Sequence, residues 1–180
     1  HHRIIIADLD GKVHQIIGTG DRGDDDGDLR NCSFKYPSSI TCSEELLFVA
    51  DAGNHKVKCI DLSSGVVRTV IGTGVLNFHQ TVAHKGTRLS MAYPMGLAMT
   101  TENNQPMLLV SNTASRQVLK YDLLKDEATS YIGNGRDKFV DDIYEMASVL
   151  QPTALNTEIP GLVLLLDSAY SALRMGNGKE

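Results

Sequence analysis

The chain has 180 residues, of which 42% are hydrophobic and 22% are charged, and its formal net charge is −5 at pH 7. This composition is typical of a soluble globular domain, and its acidity argues against a large nucleic-acid-binding surface, which needs a basic face. The longest apolar run, Leu162–Leu166, is far shorter than the roughly 18 residues that indicate a membrane-spanning helix.

The first strand signals appear at once. His2-Arg3-Ile4 begins a strand, the turn Asp8-Leu9-Asp10-Gly11 follows, and a second strand ends in Gly18-Thr19-Gly20. The acidic run Asp21–Asp28 then leads toward Pro37. Because its acids are mostly consecutive and no Glu follows before Pro37, we predict a solvent-exposed loop rather than a calcium site. Calcium binding and contact with a basic partner remain the alternatives.

From Pro37 onward the chain shows one complete set of four strand signals: Pro37–Cys42, Leu46–Ala50, Lys56–Leu62 and Val66–Ile71. Short links join these strands, as in antiparallel hairpins, whereas a long link runs from Gly74 to Pro94. The link Asp51–His55 has a structural interpretation. Gly53 or Asn54 takes positive φ, Asp51 accepts N–H groups of its own turn, and His55 packs or hydrogen-bonds against the neighbouring set of strands.

The same pattern recurs along the chain. The last strand of each repeat ends in one of three Gly-x-Gly segments: Gly18–Gly20, Gly72–Gly74 and Gly133–Gly135. The first strand of each repeat begins at one of three prolines: Pro37, Pro94 and Pro152. Sets of four antiparallel strands joined by longer links predict an all-β fold made of propeller blades.

Two further local patterns lead to predictions. Ile143, Met146, Ala147 and Leu150 are spaced i, i+3, i+4 and i+7, which predicts a short helix whose apolar face packs in the core. The cysteines are Cys32, Cys42 and Cys59, an odd number without a C-x-x-C pair, which favours free thiols and a cytoplasmic rather than a secreted protein. The sequon Asn31-Cys32-Ser33 keeps a secreted origin open.

Four segments carry a family resemblance. The stretch Asp51–Val57, the strand end Ile71–Gly74, the link segment Asp26-Gly27 and the segment Cys32–Pro37 together resemble NHL repeats. The resemblance implies an NHL-type β-propeller, usually of six blades, of which this chain supplies about three four-stranded ones. It divides the chain into the end of one blade plus a linker (1–36), two blades (37–93 and 94–151) and the start of a further blade (152–180). The ring then needs further blades or self-association to close.

Repeat proteins present broad surfaces built from many loops, so we expect a non-catalytic scaffold that binds a protein partner through its loop-rich face. The alternation of antiparallel links places the turns between second and third strands at that end, together with the ends of the long links. The residues expected on this partner face are Asp24, Asp25, Asp26, Asp28, His55, Arg116 and Tyr170. No catalytic residue, cofactor or metal is predicted, because the histidines lack H-x-x-x-H or H-E-x-x-H spacing.

Two alternative functions remain open. Some six-bladed relatives resemble lyases or hydrolases that hold a metal in the central channel. The predicted inner strands here, Ser38–Cys42, Met95–Thr100 and Thr153–Thr157, contain neither His nor Asp, although missing blades could supply ligands. The resemblance also admits an RNA-binding NHL domain. That function needs a basic face, so a nucleic-acid partner is not expected for this acidic chain.

Overall fold

The computed structural model describes residues 1–78, 83–138, 140–144 and 146–176, which form four antiparallel sheets and three short 3-10 turns. The first sheet contains β1 (Ile4–Ala7) and β2 (Val13–Ile17). The second contains β3 (Gly27–Asp28), β4 (Pro37–Ser43), β5 (Leu46–Asp51), β6 (Lys56–Asp61) and β7 (Val66–Ile71). The third contains β8 (Ala83–Lys85), β9 (Pro94–Glu102), β10 (Gln105–Asn112), β11 (Gln117–Asp122) and β12 (Glu127–Ile132). The fourth contains β13 (Pro152–Asn156), β14 (Val163–Asp167) and β15 (Ala172–Gly176).

The four predicted strands from Pro37 onward are confirmed as β4–β7. In the second and third sheets, consecutive strands are hydrogen-bonded neighbours, from β4 to β7 and from β9 to β12. This antiparallel meander is the expected blade, and the described chain is an all-β partial propeller whose ring is not closed. No helix in the described ranges is long and apolar enough to cross a membrane.

The inner strands β4, β9 and β13 lie beside one another across adjacent sheets. The Ser38 hydroxyl donates to the carbonyl oxygens of Pro94 and Met95, each at 3.1 Å, and the Leu97 N–H donates to Ser39 Oγ at 3.1 Å. At the next junction, Thr113 Oγ1 donates to the Pro152 carbonyl oxygen at 2.5 Å. These bonds join neighbouring blades close to the propeller axis.

The long links contribute edge strands that the sequence did not predict. β3 pairs with β7, opposite Val66 and Val67, and β8 pairs with β12. Each of these links therefore runs along the outer edge of the following sheet before it returns to begin that sheet's inner strand. A strand of two or three residues is too short to show a period in the sequence. The division of the chain at residues 36, 93 and 151 remains a proposal.

Three clusters of buried side chains lie between successive sheets. The returning part of each link inserts one large apolar side chain into a cluster three residues before the proline: Phe34, Met91 and Val149, each 0% exposed. Phe34 packs between Ile17 of the first sheet and Val49 and Ile60 of the second. Burying a side chain of this size contributes about 1.5–3 kcal/mol, so the links are part of the core.

The predicted short helix is absent from described residues 140–144 and 146–150; Glu145 lies outside the described residues. Val140 and Ser148 form an isolated antiparallel bridge, and Ile143 and Met146 are more than half exposed. The carbonyl of Ala147 accepts the N–H of Asn134 at 2.9 Å. The helical spacing gave a wrong prediction because carbonyl groups of this link accept N–H groups of the preceding blade. In a helix, these carbonyl groups would have bonded within the link itself.

Candidate functional site

The turn after the second strand of each blade has the same conformation. Ala52–Asn54 and Thr113–Ser115 each form one 3-10 turn. The residue with left-handed backbone follows the 3-10 turn in these two repeats, at His55 (φ 55°) and Arg116 (φ 60°), and Ser171 (φ 51°) has the same conformation at the equivalent position. The prediction that Gly53 or Asn54 takes positive φ is therefore wrong. Gly53 is needed because a Cβ there would lie 2.7 Å from the carbonyl oxygen of Lys35.

Asp51 binds the incoming link as well as its own turn. Its carboxylate is fully buried and accepts the backbone N–H of Lys35 at 2.6 Å and the side-chain amide of Asn54 at 2.7 Å. The equivalent bonds in the next two repeats run from Ala92 N–H to Asn112 Oδ1 (2.7 Å) and from Leu150 N–H to Asp167 Oδ2 (3.0 Å). In all three repeats the donor is two residues before the proline, so this position holds the link against the blade.

Burial raises the pKa of Asp51 to about 6, although the bonds from Lys35 and Asn54 act in the opposite direction. A raised carboxyl pKa is a feature of many catalytic sites. Here each carboxylate oxygen already has a donor from the link or the turn. The geometry therefore supports a structural role for Asp51.

The acidic run surrounds a lysine that the sequence analysis did not single out. The Lys58 side chain, on β6, is 0% exposed, and its Nζ lies 3.0 Å from Asp26 Oδ1 and 3.5 Å from Asp24 Oδ1. It also donates to the carbonyl oxygens of Asp25 (3.1 Å) and Ser33 (3.2 Å). A buried ammonium group needs such partners, so the acidic link and Lys58 form one structural cluster.

The remaining contacts of the acids also lie within the protein. The Asp26 carboxylate accepts both the N–H and the hydroxyl of Thr69, and Asp24 pairs with Lys56 at 2.5 Å. Asp25 accepts the Ser33 hydroxyl, and Asp28 accepts the N–H groups of Arg30 and Asn31. The acids are exposed, as expected, but their contacts place them beside the outer strand β7 rather than in a loop free for a partner. Their role in partner binding stays a prediction.

The repeat alignment indicates how Lys58 could have been found. Arg174 occupies the equivalent position in the fourth blade and donates to the Val140 carbonyl at 2.8 Å and to Asp141 at 2.5 Å. Leu119 occupies it in the third blade, and the link that enters that blade, 75–93, contains no Asp or Glu. An acidic link thus coincides with a basic residue on the third strand, and a non-acidic link with an apolar one.

His55 and Arg116 lie at the loop-rich end. His55 Nδ1 accepts the Tyr93 N–H at 3.3 Å, and the two rings meet edge to face at 4.5 Å, so the expected contact with the neighbouring blade is present. Burial, with a smaller effect of Lys35, lowers the pKa of His55. Arg116 Nη2 lies 3.4 Å from Asp137 Oδ2. Tyr170 is partly exposed in the turn before β15.

Two adjacent clefts open at this end, with volumes of about 520 and 450 Å³. The first is lined by residues that include Arg3, Tyr36, Ser38, Gly53, Tyr93 and Met95. The second is lined by residues that include Tyr93, Met95, Ala114, Arg116, Gln151 and Ala169. Tyr93 and Met95 line both clefts, and neither lining contains Asp or Glu. The structure therefore brings Arg116 to a cleft but leaves the four acids outside both linings.

Within the described ranges, no three His, Cys, Asp or Glu side chains are grouped as metal ligands. Cys32, Cys42 and Cys59 are free thiols, two of them buried. The clefts are lined by aromatic, apolar, small polar and basic side chains.

Comparison with known proteins identifies the repeats. No family model matches the chain. The chain is 25% identical over 199 residues to NHL repeat-containing protein 2 of Gallus gallus, an alignment that covers 100% of this chain and 27% of that protein. The chain resembles an NHL-repeat protein over its full length. This NHL-repeat chain is also 27% identical over 167 residues to Protein SUPPRESSOR OF QUENCHING 1, chloroplastic, of Arabidopsis thaliana, covering 90% of the chain and 16% of that protein.

A solved structure has the same fold. The NHL-repeat chain superposes on an auxiliary nutrient binding protein from Bacteroides thetaiotaomicron with a TM-score of 0.70 and 12% identity, covering 97% of this chain and 42% of that one. The similarity confirms the partial NHL-type propeller. The chain spans about a quarter or less of the length of the curated relatives named above, 27% and 16%.

Proposed function

We propose that this NHL-repeat chain is part of a non-catalytic scaffold that binds a protein partner at the loop-rich end of its blades. The observation that carries the proposal is the pair of adjacent clefts that meet at Tyr93 and Met95. Their walls come from four consecutive blades, so a partner lying there contacts several repeats at once. Surfaces assembled from repeats in this way suit macromolecular ligands.

The use of the ionisable residues supports the same proposal. Asp51 and Asp167 hold links to blades, and Lys58 is enclosed by its own acidic link. These groups, which would be the first candidates for chemistry, are occupied by structural contacts. The exposed rings of Tyr36 and Tyr93 and the partly exposed Arg116, which pairs with Asp137, lie at the loop-rich end, and aromatic residues and Arg are enriched at protein interfaces.

Photo-crosslinking at defined positions tests the proposal. A benzophenone amino acid replaces Ala114 or Ala169 in the second cleft, and in a matched control it replaces Leu124, which is 71% exposed in the β11–β12 hairpin at the opposite end. After irradiation in an extract of the source cells, we expect protease-sensitive adducts from positions 114 and 169 but not from 124. Equal adducts from all three positions, or none, would contradict the proposed face.

A further inference from the structure

The two clefts share a wall, and this continuity suggests one ligand-binding groove. Tyr36 and Tyr93 occupy equivalent positions one repeat apart, each directly before the proline that begins an inner strand. The first cleft contains both tyrosines, and the second begins at Tyr93 and extends to Gln151, the next equivalent position. A chain lying along both clefts would pass the three blade junctions marked by Tyr36, Tyr93 and Gln151.

The tyrosines are both exposed and held in place. Tyr36 is 51% exposed and Tyr93 44% exposed, and both have a φ of 52°, a conformation that costs energy for a bulky residue. The Tyr93 ring is fixed by edge-to-face contact with His55 at 4.5 Å. Strained backbone of this kind is concentrated at binding and active sites. Rigid tyrosine rings give a ligand large contact area at little conformational cost.

The charge of the groove differs from that of the whole chain. Arg3 lines the first cleft, Arg116 lines the second, and the Arg22 guanidinium lies 4.8 Å from the centroid of the Tyr36 ring. The acid paired with Arg116 is Asp137, at 3.4 Å, and it lies outside both linings. The whole chain nevertheless carries a net charge of −5. A basic groove in an acidic protein favours an anionic segment at the groove while repelling polyanions elsewhere.

We propose that this groove binds an extended acidic peptide segment of a partner protein, with Tyr36, Tyr93 and Met95 contacting its apolar side chains and Arg22 and Arg116 its carboxylates. The proposal rests on the proposed scaffold function and specifies the ligand chemistry. A peptide fits better than single-stranded nucleic acid, because nucleic-acid binding depends on many phosphate contacts, and these two clefts are lined or flanked by three arginines.

Fluorescence polarisation on the full 180-residue chain tests this ligand class. The probes are a labelled decapeptide of alternating Glu and Leu, its Lys-Leu counterpart and a ten-nucleotide oligouridine. We expect saturable binding of the Glu-Leu peptide that weakens as salt is raised, with much weaker binding of the other two probes. Preference for the Lys-Leu peptide or for oligouridine overturns the proposal, as does the absence of Glu-Leu binding.

Variants locate the binding. The double substitution Arg22→Gln and Arg116→Gln should weaken Glu-Leu binding roughly tenfold or more, since it removes two arginines at the groove. The matched control, Lys12→Gln with Lys125→Gln, removes two positive charges from exposed hairpins at the opposite end and should leave binding unchanged. Equal losses in both double variants would show that net charge, and not the groove, attracts the peptide.

Tyr93→Gln tests the aromatic contact without charge, because Gln151 occupies the equivalent position of the next repeat. We expect it to weaken binding of the Glu-Leu peptide several-fold while the unfolding temperature shows that the chain remains folded. Unchanged binding by this folded variant overturns the assigned role of Tyr93. If crosslinking at positions 114 and 169 succeeds but all peptide binding fails, the scaffold function stands and the acidic-peptide specificity falls.

Discussion

At the scale of single residues, most of the ionisable side chains that suggest chemistry hold the links to the blades. Asp51, Asn112 and Asp167 occupy one repeat position and accept link N–H groups in the same way. The presence of Asn in the third blade shows that the position requires an acceptor and does not require a charge. The charge of Asp51 is therefore open to replacement, and its effect on stability can be measured separately.

Replacing Asp51 by Asn should change how stability depends on pH. Burial raises the pKa of Asp51 to about 6 in the folded chain, from its ordinary value of 3.8. The folded state thus binds more protons between these pH values, and the stability that Asp51 contributes falls as pH rises through them. A shift of this size corresponds to about 3 kcal/mol at most. The stability advantage of the original chain over Asp51→Asn should be greatest below about pH 3.8 and should be lost progressively as pH rises to about 6.

Urea unfolding at a series of pH values measures this difference. Asn112→Asp is the reciprocal control, because it places a carboxyl at the same repeat position and should introduce the same loss of stability with rising pH. The variant Asp51→Asn also brings its new amide against that of Asn54, so a constant loss of about 1–2 kcal/mol is expected at every pH. Parallel stability curves for the original chain and the variant would contradict a raised pKa at Asp51.

Lys58 and Asp26 should be strongly coupled in a double-mutant cycle. Lys58 Nζ lies 3.0 Å from Asp26 Oδ1, and the Lys58 side chain is 0% exposed. Removal of the Asp26 carboxylate therefore leaves a buried ammonium group with fewer partners. For Lys58→Met and Asp26→Asn we expect a coupling free energy of roughly 2 kcal/mol. Chemical denaturation of the single and double variants measures it.

The matched control is the surface pair Lys120–Glu102, with Nζ and Oε2 2.6 Å apart. Its acid is about as exposed as Asp26 (49% against 43%), but the Lys120 side chain is 23% exposed whereas that of Lys58 is 0% exposed. Its cycle, with Lys120→Met and Glu102→Gln, should give at most about 1 kcal/mol because water screens an exposed pair. A coupling at Lys58–Asp26 no larger than this control would show that the buried lysine does not depend on the acidic link.

At the scale of elements, the link between blades is a structural element in its own right. It leaves the outer strand at a Gly-x-Gly segment, forms an edge strand on the next sheet in two of the three links, and returns with a buried side chain before the proline. In the segment Gly72–Gly74, the first glycine leaves less room for an added Cβ than the second. Gly72 donates its N–H to the Gly86 carbonyl at 3.0 Å, and it lies against the backbone of the His55 turn.

The substitution Gly72→Ala should destabilise the chain more than an alanine substitution at another glycine with positive φ. Gly72 has a φ of +104°, and a Cβ there would overlap the carbonyl oxygen of His55 and lie 2.9 Å from Lys56 Cα. The control Gly11→Ala has a φ of +83° with nothing within 4 Å of the added Cβ, so it measures backbone strain alone. We expect a loss of about 1 kcal/mol at Gly11 and at least about twice that at Gly72, from thermal or urea unfolding. Equal losses would mean that the turn moves aside at little cost.

At the scale of the whole molecule, the partial propeller has two open ends. β1 pairs only with β2, and β15 pairs only with β14 among the strands of the described ranges. β15 also exposes apolar side chains, with Leu173 72% and Met175 70% exposed. An edge strand with unpaired backbone groups and apolar side chains attracts other chains. The open ends are therefore distinct from the loop-rich end, which is the face proposed for partner binding.

We expect the 180-residue chain to associate as its concentration is raised, as seen by sedimentation velocity. Leu173→Lys combined with Met175→Lys should reduce this association, because charged side chains protect strand edges. The control, Leu9→Lys with Leu124→Lys, changes two leucines that are 106% and 71% exposed in hairpins and should leave association unchanged. A compact monomer at all concentrations would contradict the expectation.

The sequence by itself determined the repeated elements of this protein. Predicted and observed bounds agree to within one residue for β4, β5, β6 and β7, because alternating apolar residues, turn residues, proline and glycine act locally. The spacing of the Gly-x-Gly segments and prolines then indicated the propeller, and the residues around Asp51 indicated NHL repeats. Of the residues predicted on the partner face, Arg116 lines a cleft and His55 contacts Tyr93, and their role in binding stays a prediction.

Only the tertiary structure decided what lies between the repeats. Asp26 meets Lys58 and Thr69, which are 32 and 43 residues away in the chain, and no local pattern predicts such a contact. The two clefts that share Tyr93 and Met95 likewise depend on how four blades are placed around one axis. Backbone conformation follows from neighbouring residues, whereas burial and charge pairing follow from the packing of distant parts of the chain. For this reason the sequence predicted a solvent-exposed loop at Asp21–Asp28, and only the structure revealed that this loop encloses Lys58.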